Sequence, residues 1–420
     1  MNQVDILIVG GGTGGIMTAA QLRRKLPKLS VAVFEPSETH WYQPAWTLVG
    51  AGTFKMAATK RKTADYMPQG VTWIKERVAS LQPEHHQVTS ESGQVTSYRY
   101  LILSPGLVYN LSLIPGLAEA LETPYVCSNY LDPEKTWRVL QNFTGGNAVF
   151  TQPSTPIKCG GAPQKIMYLA EHYFRKRDIR DQTNVVLATP GGVIFGVKEF
   201  AKTLNHIIAS RNIIFKPFYA PVRIDGVAKT VTFRYNTALA GNDCMTQKNV
   251  KLNEEVQGDT EMVMPYDILH LAPPQTAPEF IQQSPLAVAE GPNKGWLEVD
   301  IHKLHHPKFP NVFGIGDTAA LPTAKTGAAI RKQAPVVVEQ IRAAEEHTTT
   351  PVEYNGYSSC PLVTGYGRMV LAEFKYDNVR DSDPLLSTFV DTTKESWLMW
   401  LLKKYGLPYL YWNQMLRGKM

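Results

Sequence analysis

Two cysteines in this chain stand where sulfur chemistry is possible. Cys159 lies in Lys158-Cys159-Gly160-Gly161-Ala162-Pro163, just ahead of a helix-like run from Gln164 to Glu171. A thiol beside a lysine and near a helix N-terminus is biased toward its thiolate, the reactive form. Cys360 sits in the apolar segment Tyr357-Ser358-Ser359-Cys360-Pro361-Leu362-Val363, with a proline next to the sulfur. The competing reading for either is the usual fate of a free thiol, a buried and inert side chain. The other two cysteines, Cys127 and Cys244, read as structural. With four cysteines and no C-x-x-C pair, neither a disulfide-dense scaffold nor a structural zinc site is expected.

A second chemical signature is the N-terminal glycine cluster. Val4–Val9 is an apolar strand-like run, Gly10, Gly12 and Gly15 fit G-x-G-x-x-G, and Ile16–Leu22 continues as a helix. Such a turn brings bare backbone against a pyrophosphate, and the helix start offers free N–H groups and a positive dipole end. Gly10, Gly11, Gly12, Thr13 and Gly15 are therefore candidate dinucleotide contacts. The next strand, Val31–Phe34, ends in Glu35, the acid expected about 20 residues on for a ribose hydroxyl. Other strand ends converge on the same crevice. The loop His40-Trp41-Tyr42-Gln43-Pro44 offers Gln43, and the strand Val71–Val78 offers the Val78 backbone. Tyr98–Ser104 closes on Gly106, and Asn311–Gly316 closes on Asp317, with Lys325 just before another helix start. These elements predict a doubly wound α/β fold.

The 420 residues suffice for two or three domains, and 44% hydrophobic with 19% charged residues is a globular composition. The net charge of +6 favours an anionic surface; without a nucleic-acid-reading motif, acidic lipid is expected ahead of DNA or RNA. The chain opens on its first strand, so no signal peptide is expected, and no run is long enough to span a bilayer. Asn184–Thr189 is a good strand, but Pro190-Gly191-Gly192-Val193-Ile194-Phe195-Gly196 follows instead of a second glycine fingerprint. A second Rossmann-like domain without NAD(P) is the expectation. His302, His305 and His306 are interrupted by Pro307 and Pro310 and read as a solvated loop, so no metal is expected. The tail, Lys394–Arg417, is rich in Trp and Tyr with basic flanks and is divided by Gly406 and Pro408. It suits helices lying in a membrane interface, or a helix pair docked on the core or on a partner subunit.

Taken together, Gly10–Gly15, His40–Pro44, Trp46–Gly52, Lys158–Leu169, Asn311–Asp317 and Ser359–Tyr366 resemble the sulfide:quinone oxidoreductases, especially their mitochondrial branch. The resemblance implies FAD, sulfide as donor, a membrane quinone as acceptor, and Cys159 with Cys360 as the redox pair. Gly12, Thr13, Glu35, Gln43, Val78, Asp317 and Lys325 would touch FAD. Phe195, Tyr411 and Trp412 are candidates for the quinone slot. Two Rossmann-like domains are expected, the FAD domain from residues 1–113 and 272–348 and the second from 114–271, with a membrane and quinone region at 349–420. The expected location is a peripheral membrane protein on the cytoplasmic face; a homo-oligomer is left open and the sulfur acceptor is unassigned. The rivals are a type II NADH:quinone dehydrogenase and a non-catalytic membrane-associated flavoprotein.

Overall fold

The computed structural model describes residues 2–235 and 250–420; Cys244 lies outside them. Its first sheet has a parallel centre in the order Val71–Ile74, Val31–Phe34, Asn2–Val9, Val95–Leu103. Ile6, Leu7 and Ile8 are fully buried, as expected when both faces of a parallel strand are covered. The long strand Val95–Leu103 divides its far edge. Its first half pairs antiparallel with Gln87–Ser90, which leads to Val78–Gln82, and its second half pairs parallel with Val312–Gly314. A segment more than 200 residues downstream thus returns to the first sheet and carries Asp317 with it. The run Val71–Val78 is broken into two strands at Lys75–Arg77 rather than forming one.

A second, five-stranded sheet is parallel throughout, in the order Val126–Cys127, Ile268–Leu271, Gly146–Thr151, Thr183–Thr189, Ile214–Pro217. The two chain crossings between the sheets pair with each other, Val108–Tyr109 against Gln275–Thr276. Near the C-terminus, Ser358–Gly365 and Arg368–Lys375 form an antiparallel ribbon that packs against the helix Ala162–Lys176. This contact brings Cys360 to the Cys159 segment.

The tail differs from the divided pair expected. Trp397–Met415 is one continuous helical run in which α-helical turns alternate with wider π turns at Leu402–Gly406 and Tyr411–Met415. Pro408 cannot donate a backbone hydrogen bond and crowds the preceding turn, and the wider turn before it accommodates the ring without ending the helix. The histidine segment also departs from a solvated loop. His306 is fully buried against Phe309, and His302 Nδ1 lies 3.0 Å from the Tyr354 carbonyl. Among the described residues no group of His, Cys, Asp and Glu is placed to hold a metal.

Candidate functional site

The strand Asn2–Val9 turns into the helix Thr13–Lys25 through a run of glycines, of which Gly10 and Gly15 admit no other residue without movement. Gly10 has φ +96°, and a Cβ there would lie 2.3 Å from the Ser104 carbonyl oxygen. A Cβ on Gly15 would lie 1.8 Å from the Gly10 oxygen, so this glycine sets the close packing of helix on turn. Gly12 precedes the helix with no side chain capping its N–H groups, and the space beside it is open. An anionic diphosphate fits that combination. Glu35 accepts from the Gly11 N–H (2.8 Å) and the Ser37 N–H (2.6 Å). Burial raises its pKa and these bonds oppose the rise.

The open space belongs to a cavity of about 690 Å³. Of the candidate residues, Gly10, Gly11, Gly12, Thr13, Glu35, Gln43, Gly106, Asp317 and Lys325 line it, as does Cys159. Gly15 lies beneath the turn, and Val78 packs in the core paired with Ser90; neither lines the cavity. Lys325 donates to the Ala319 carbonyl (2.7 Å) and stands over the Trp296 ring. Burial lowers its pKa to about 8.

At the far wall the chain holds Cys159 in a left-handed conformation, φ +51°, which costs a non-glycine residue of the order of 1–3 kcal/mol. Surrounding bonds over-determine it. The Cys159 N–H donates to the Lys325 carbonyl (2.8 Å), Tyr130 donates to the Cys159 carbonyl (3.2 Å), and Lys158 N–H donates to Gln275 Oε1 (2.8 Å). The helix Ala162–Lys176 starts immediately afterwards and places Lys165, 2% exposed, with Nζ 3.0 Å from Cys159 Sγ. Gly161 leaves room for the second sulfur: a Cβ there would stand 2.6 Å from Cys360 Sγ.

The sulfurs are therefore neighbours, and both are free thiols in this structure. Cys360 donates a hydrogen bond to Cys159. That bond, with the charge of Lys165, holds the Cys159 thiol well below its ordinary range despite burial. The same bond and burial push Cys360 well above it. Of the two, Cys159 is the one biased toward its thiolate. Burial disfavours a charge on Lys165, but the two sulfurs outweigh it and raise its pKa.

Sequence reasoning missed Lys165 and Lys403. Lys165 carried a signal, because a helix beginning at Ala162 turns its fourth residue back toward its own N-terminus. Lys403 carried none. It reaches in from the tail, buried, to donate to the Pro44 carbonyl (2.9 Å), and burial and the charge of Lys165 lower it to about 7. Cys127 is buried beside Thr136, and burial pushes its thiol up to about 12.

The proposed quinone trio does not form one slot. Tyr411 lines the cavity and hydrogen-bonds Thr13 Oγ1 (2.8 Å) and His40 Nε2 (2.6 Å), while Trp412 packs beside it on Tyr66. Phe195 instead stacks edgewise on Phe200 and Phe374, where its apolar ring completes a different core. Leu371, Leu386, Leu402, Leu407 and Leu410 line part of the cavity.

Residues 4–140 match the family model for pyridine nucleotide-disulphide oxidoreductases. The chain is 42% identical to the mitochondrial sulfide:quinone oxidoreductase of Mus musculus, over 99% of this chain and 87% of that protein. It is 38% identical to the mitochondrial enzyme of the same name from Dictyostelium discoideum, over 100% and 87% respectively. In fold it matches the sulfide:quinone oxidoreductase of Aquifex aeolicus with a TM-score of 0.79 at 20% identity, covering 100% of this chain and 92% of that one.

Proposed function

Since the chain belongs to the sulfide:quinone oxidoreductase family, we propose how its residues divide the work of an FAD-dependent enzyme that oxidises sulfide and reduces a quinone. The glycine turn, Glu35, Gln43, Gly106, Asp317 and Lys325 hold FAD along the cavity, which has a volume suited to such a ligand. Bound there, FAD takes the two electrons of sulfide oxidation and yields them to the quinone.

Cys159 and Cys360 form the working disulfide. Hydrosulfide attacks the Cys360 sulfur, the S–S bond breaks, Cys159 leaves as a thiolate, and the new S–S bond makes Cys360 a persulfide. Exchange is faster when the leaving thiol has the lower pKa, and the ammonium of Lys165 confers that on Cys159. A nucleophilic acceptor then removes the outer sulfur from Cys360. The Cys360 thiolate released in that step re-forms the S–S bond with Cys159 as the pair gives up two electrons, for which bound FAD would be the acceptor. The observation that carries this reading is the juxtaposition of the two sulfurs, with Cys159 at the wall of the dinucleotide cavity and Cys360 hydrogen-bonded behind it. Replacing Cys360 with serine should abolish reduction of bound FAD by sulfide while leaving reduction by dithionite intact; normal reduction by sulfide would overturn the assignment.

Residues 1–113 with 272–348 make the FAD domain, and 114–271 a second Rossmann-like domain that has lost NAD binding. The return of Val312–Gly314 to the first sheet supports the first assignment. The second rests on Phe218, whose ring blocks the turn after Thr183–Thr189: a Cβ on Gly192 would meet it at 2.1 Å. Residues 349–420 form the quinone and membrane region. No helix among the described residues is long and apolar enough to cross a membrane. The tail instead exposes Trp397, Leu398, Tyr405 and Tyr409, with Leu385 and Phe389 from the preceding helix Pro384–Phe389, a face suited to the lipid interface. The mitochondrial relatives speak against the cytoplasmic face expected from sequence. The quinone enters at the leucine-lined part of the cavity beside this face.

A further inference from the structure

The antiparallel ribbon that carries Cys360 has a second face with chemistry of its own. Side chains alternate along a strand, so Cys360 and Leu362 point toward the helix Ala162–Lys176, while Ser359 and Pro361, with their partners Glu373 and Leu371, line the cavity. Glu373 is 5% exposed, an unusual burial for a carboxylate. One of its oxygens accepts from the Tyr357 hydroxyl and the other from the Asp383 N–H (3.0 Å). Tyr357 in turn accepts from Arg331 Nη2 (2.8 Å). Arg331, Tyr357 and Glu373 all line the cavity, and so does Leu371, two residues from Glu373 on the same face of the strand. Arg331 Nε is buried with no partner among the described residues, a donor left over on this wall. Asp383 is exposed and caps the helix Pro384–Phe389, so the Glu373 carboxyl lies directly under a solvated turn. None of these groups takes part in the sulfur chemistry.

We infer that Glu373 and Tyr357 form the proton path to the quinone, with Glu373 filled from solvent at the Asp383 turn and Tyr357 delivering into the cavity. The inference rests on the placement of the quinone at the leucine-lined part. Reducing a quinone to a quinol takes two electrons and two protons. The electrons and one proton arrive from the bound cofactor. For the other, the O–H bond of Tyr357 breaks as the O–H bond of the quinol forms, and the phenol oxygen takes the proton of the Glu373 carboxylic acid. The carboxylate left behind is reprotonated from water. When Glu373 is protonated it donates to the Tyr357 oxygen, which frees the phenol hydrogen to point into the cavity. Arg331, donating to the same oxygen, stabilises the negative charge that develops there as the proton leaves. Burial, then the hydrogen bond to Glu373, raise the Tyr357 pKa, so the phenol holds its proton until the quinone takes it.

The test uses the full FAD-loaded protein and Glu373→Gln, which keeps the size and one acceptor but carries no transferable acid proton. Rapid mixing should show sulfide reducing the flavin at the normal rate and a soluble quinone reoxidising it about a hundredfold or more slowly, the lower edge of what general acid catalysis supplies. Ferricyanide, which takes electrons without protons, should reoxidise the variant normally. Redox-difference infrared spectra of the parent should contain a carboxylic-acid band that shifts in heavy water and is missing from the variant. Tyr357→Phe should slow quinone reoxidation likewise and retain the band. Leu402→Trp, which fills the slot, tests the placement separately: it should raise the KM for quinone. If Leu402→Trp impairs quinone use while Glu373→Gln reoxidises at the parent rate, the proton path is refuted and the slot stands. If Leu402→Trp changes nothing, the placement of the quinone fails, and the path with it.

Discussion

Lys165→Met removes the one ammonium in hydrogen-bond contact with Cys159 and should raise the thiol pKa enough to follow by spectroscopy. At the 3.0 Å separation of Nζ and Sγ, Coulomb's law with an effective dielectric of about 20 gives about 5.5 kcal/mol of attraction. Part of this offsets the cost of burying the lysine, and the hydrogen bond from Cys360 survives in the variant. An opposite charge at such range moves a pKa by about 1–3 units, and 2 units correspond to about 2.7 kcal/mol. The assay is a pH titration of the reduced-thiol protein, read from the long-wavelength absorbance of a thiolate against oxidised flavin. The midpoint should move up by about 2 units in Lys165→Met and by much less in Lys165→Arg, which keeps the charge. Sulfide-driven flavin reduction at neutral pH should slow in the same order, since the leaving group is poorer. An unshifted midpoint in Lys165→Met would refute the claim that this lysine makes Cys159 the thiolate.

Gly15→Ala forces a methyl against the Gly10 oxygen; overpacking of this kind costs about 1–3 kcal/mol, so the variant should melt lower and purify with less FAD, and full FAD content at an unchanged Tm would contradict the packing role. For Lys403, held near 7 against an ordinary 10.5, the unfolded chain binds the extra proton between those values. Stability should therefore rise with pH across that window, with the full burial cost present below about 7. Lys403→Met should flatten the rise in denaturant titrations run from pH 6 to 10, and an identical slope in both proteins would count against it. Replacing Trp397, Tyr405 and Tyr409 with serine should abolish co-sedimentation with anionic vesicles yet leave turnover with a water-soluble quinone, whereas retained vesicle binding would remove these side chains from the interface.

Much of this site was legible because its signals are local. The glycine turn, Glu35, Gly106 and Asp317 announce themselves as strand ends with small or acidic residues, and the fold draws them into one cavity. Cys159 was legible from its glycines and the helix that follows. What sequence could not show is which partner arrives from afar. Lys403 reads as one more basic residue on an amphipathic tail, yet a tail docked by Tyr411 on Thr13 and His40 turns it inward. Phe195 failed as a quinone contact for a related reason. An aromatic residue in a loop after a strand is compatible with either a pocket or a core, and only the positions of Phe200 and Phe374 decide between them. Glu373 lies in Arg368–Lys375, where Met369–Phe374 are all buried, and the apolar neighbours mask the alternation that places it on the cavity face.

That alternation also answers a chemical problem. Quinones are electrophiles that thiolates and persulfides attack at carbon, so an enzyme holding both must keep them from meeting. Here the same ribbon presents Cys360 to the helix Ala162–Lys176 and Pro361, Leu371 and Glu373 to the cavity. Cys360 does not line the cavity, and the body of the strand stands between its sulfur and the leucine-lined part. Cys159, which does line the cavity, is the sulfur held by an ammonium and facing the dinucleotide side. A one-residue slip of Ser358–Gly365 against Arg368–Lys375 would exchange the faces and turn the persulfide toward the quinone. On the proposed mechanism, the pairing of Cys360 with Ala372 and of Ser359 with Glu373 serves the reaction as well as the fold.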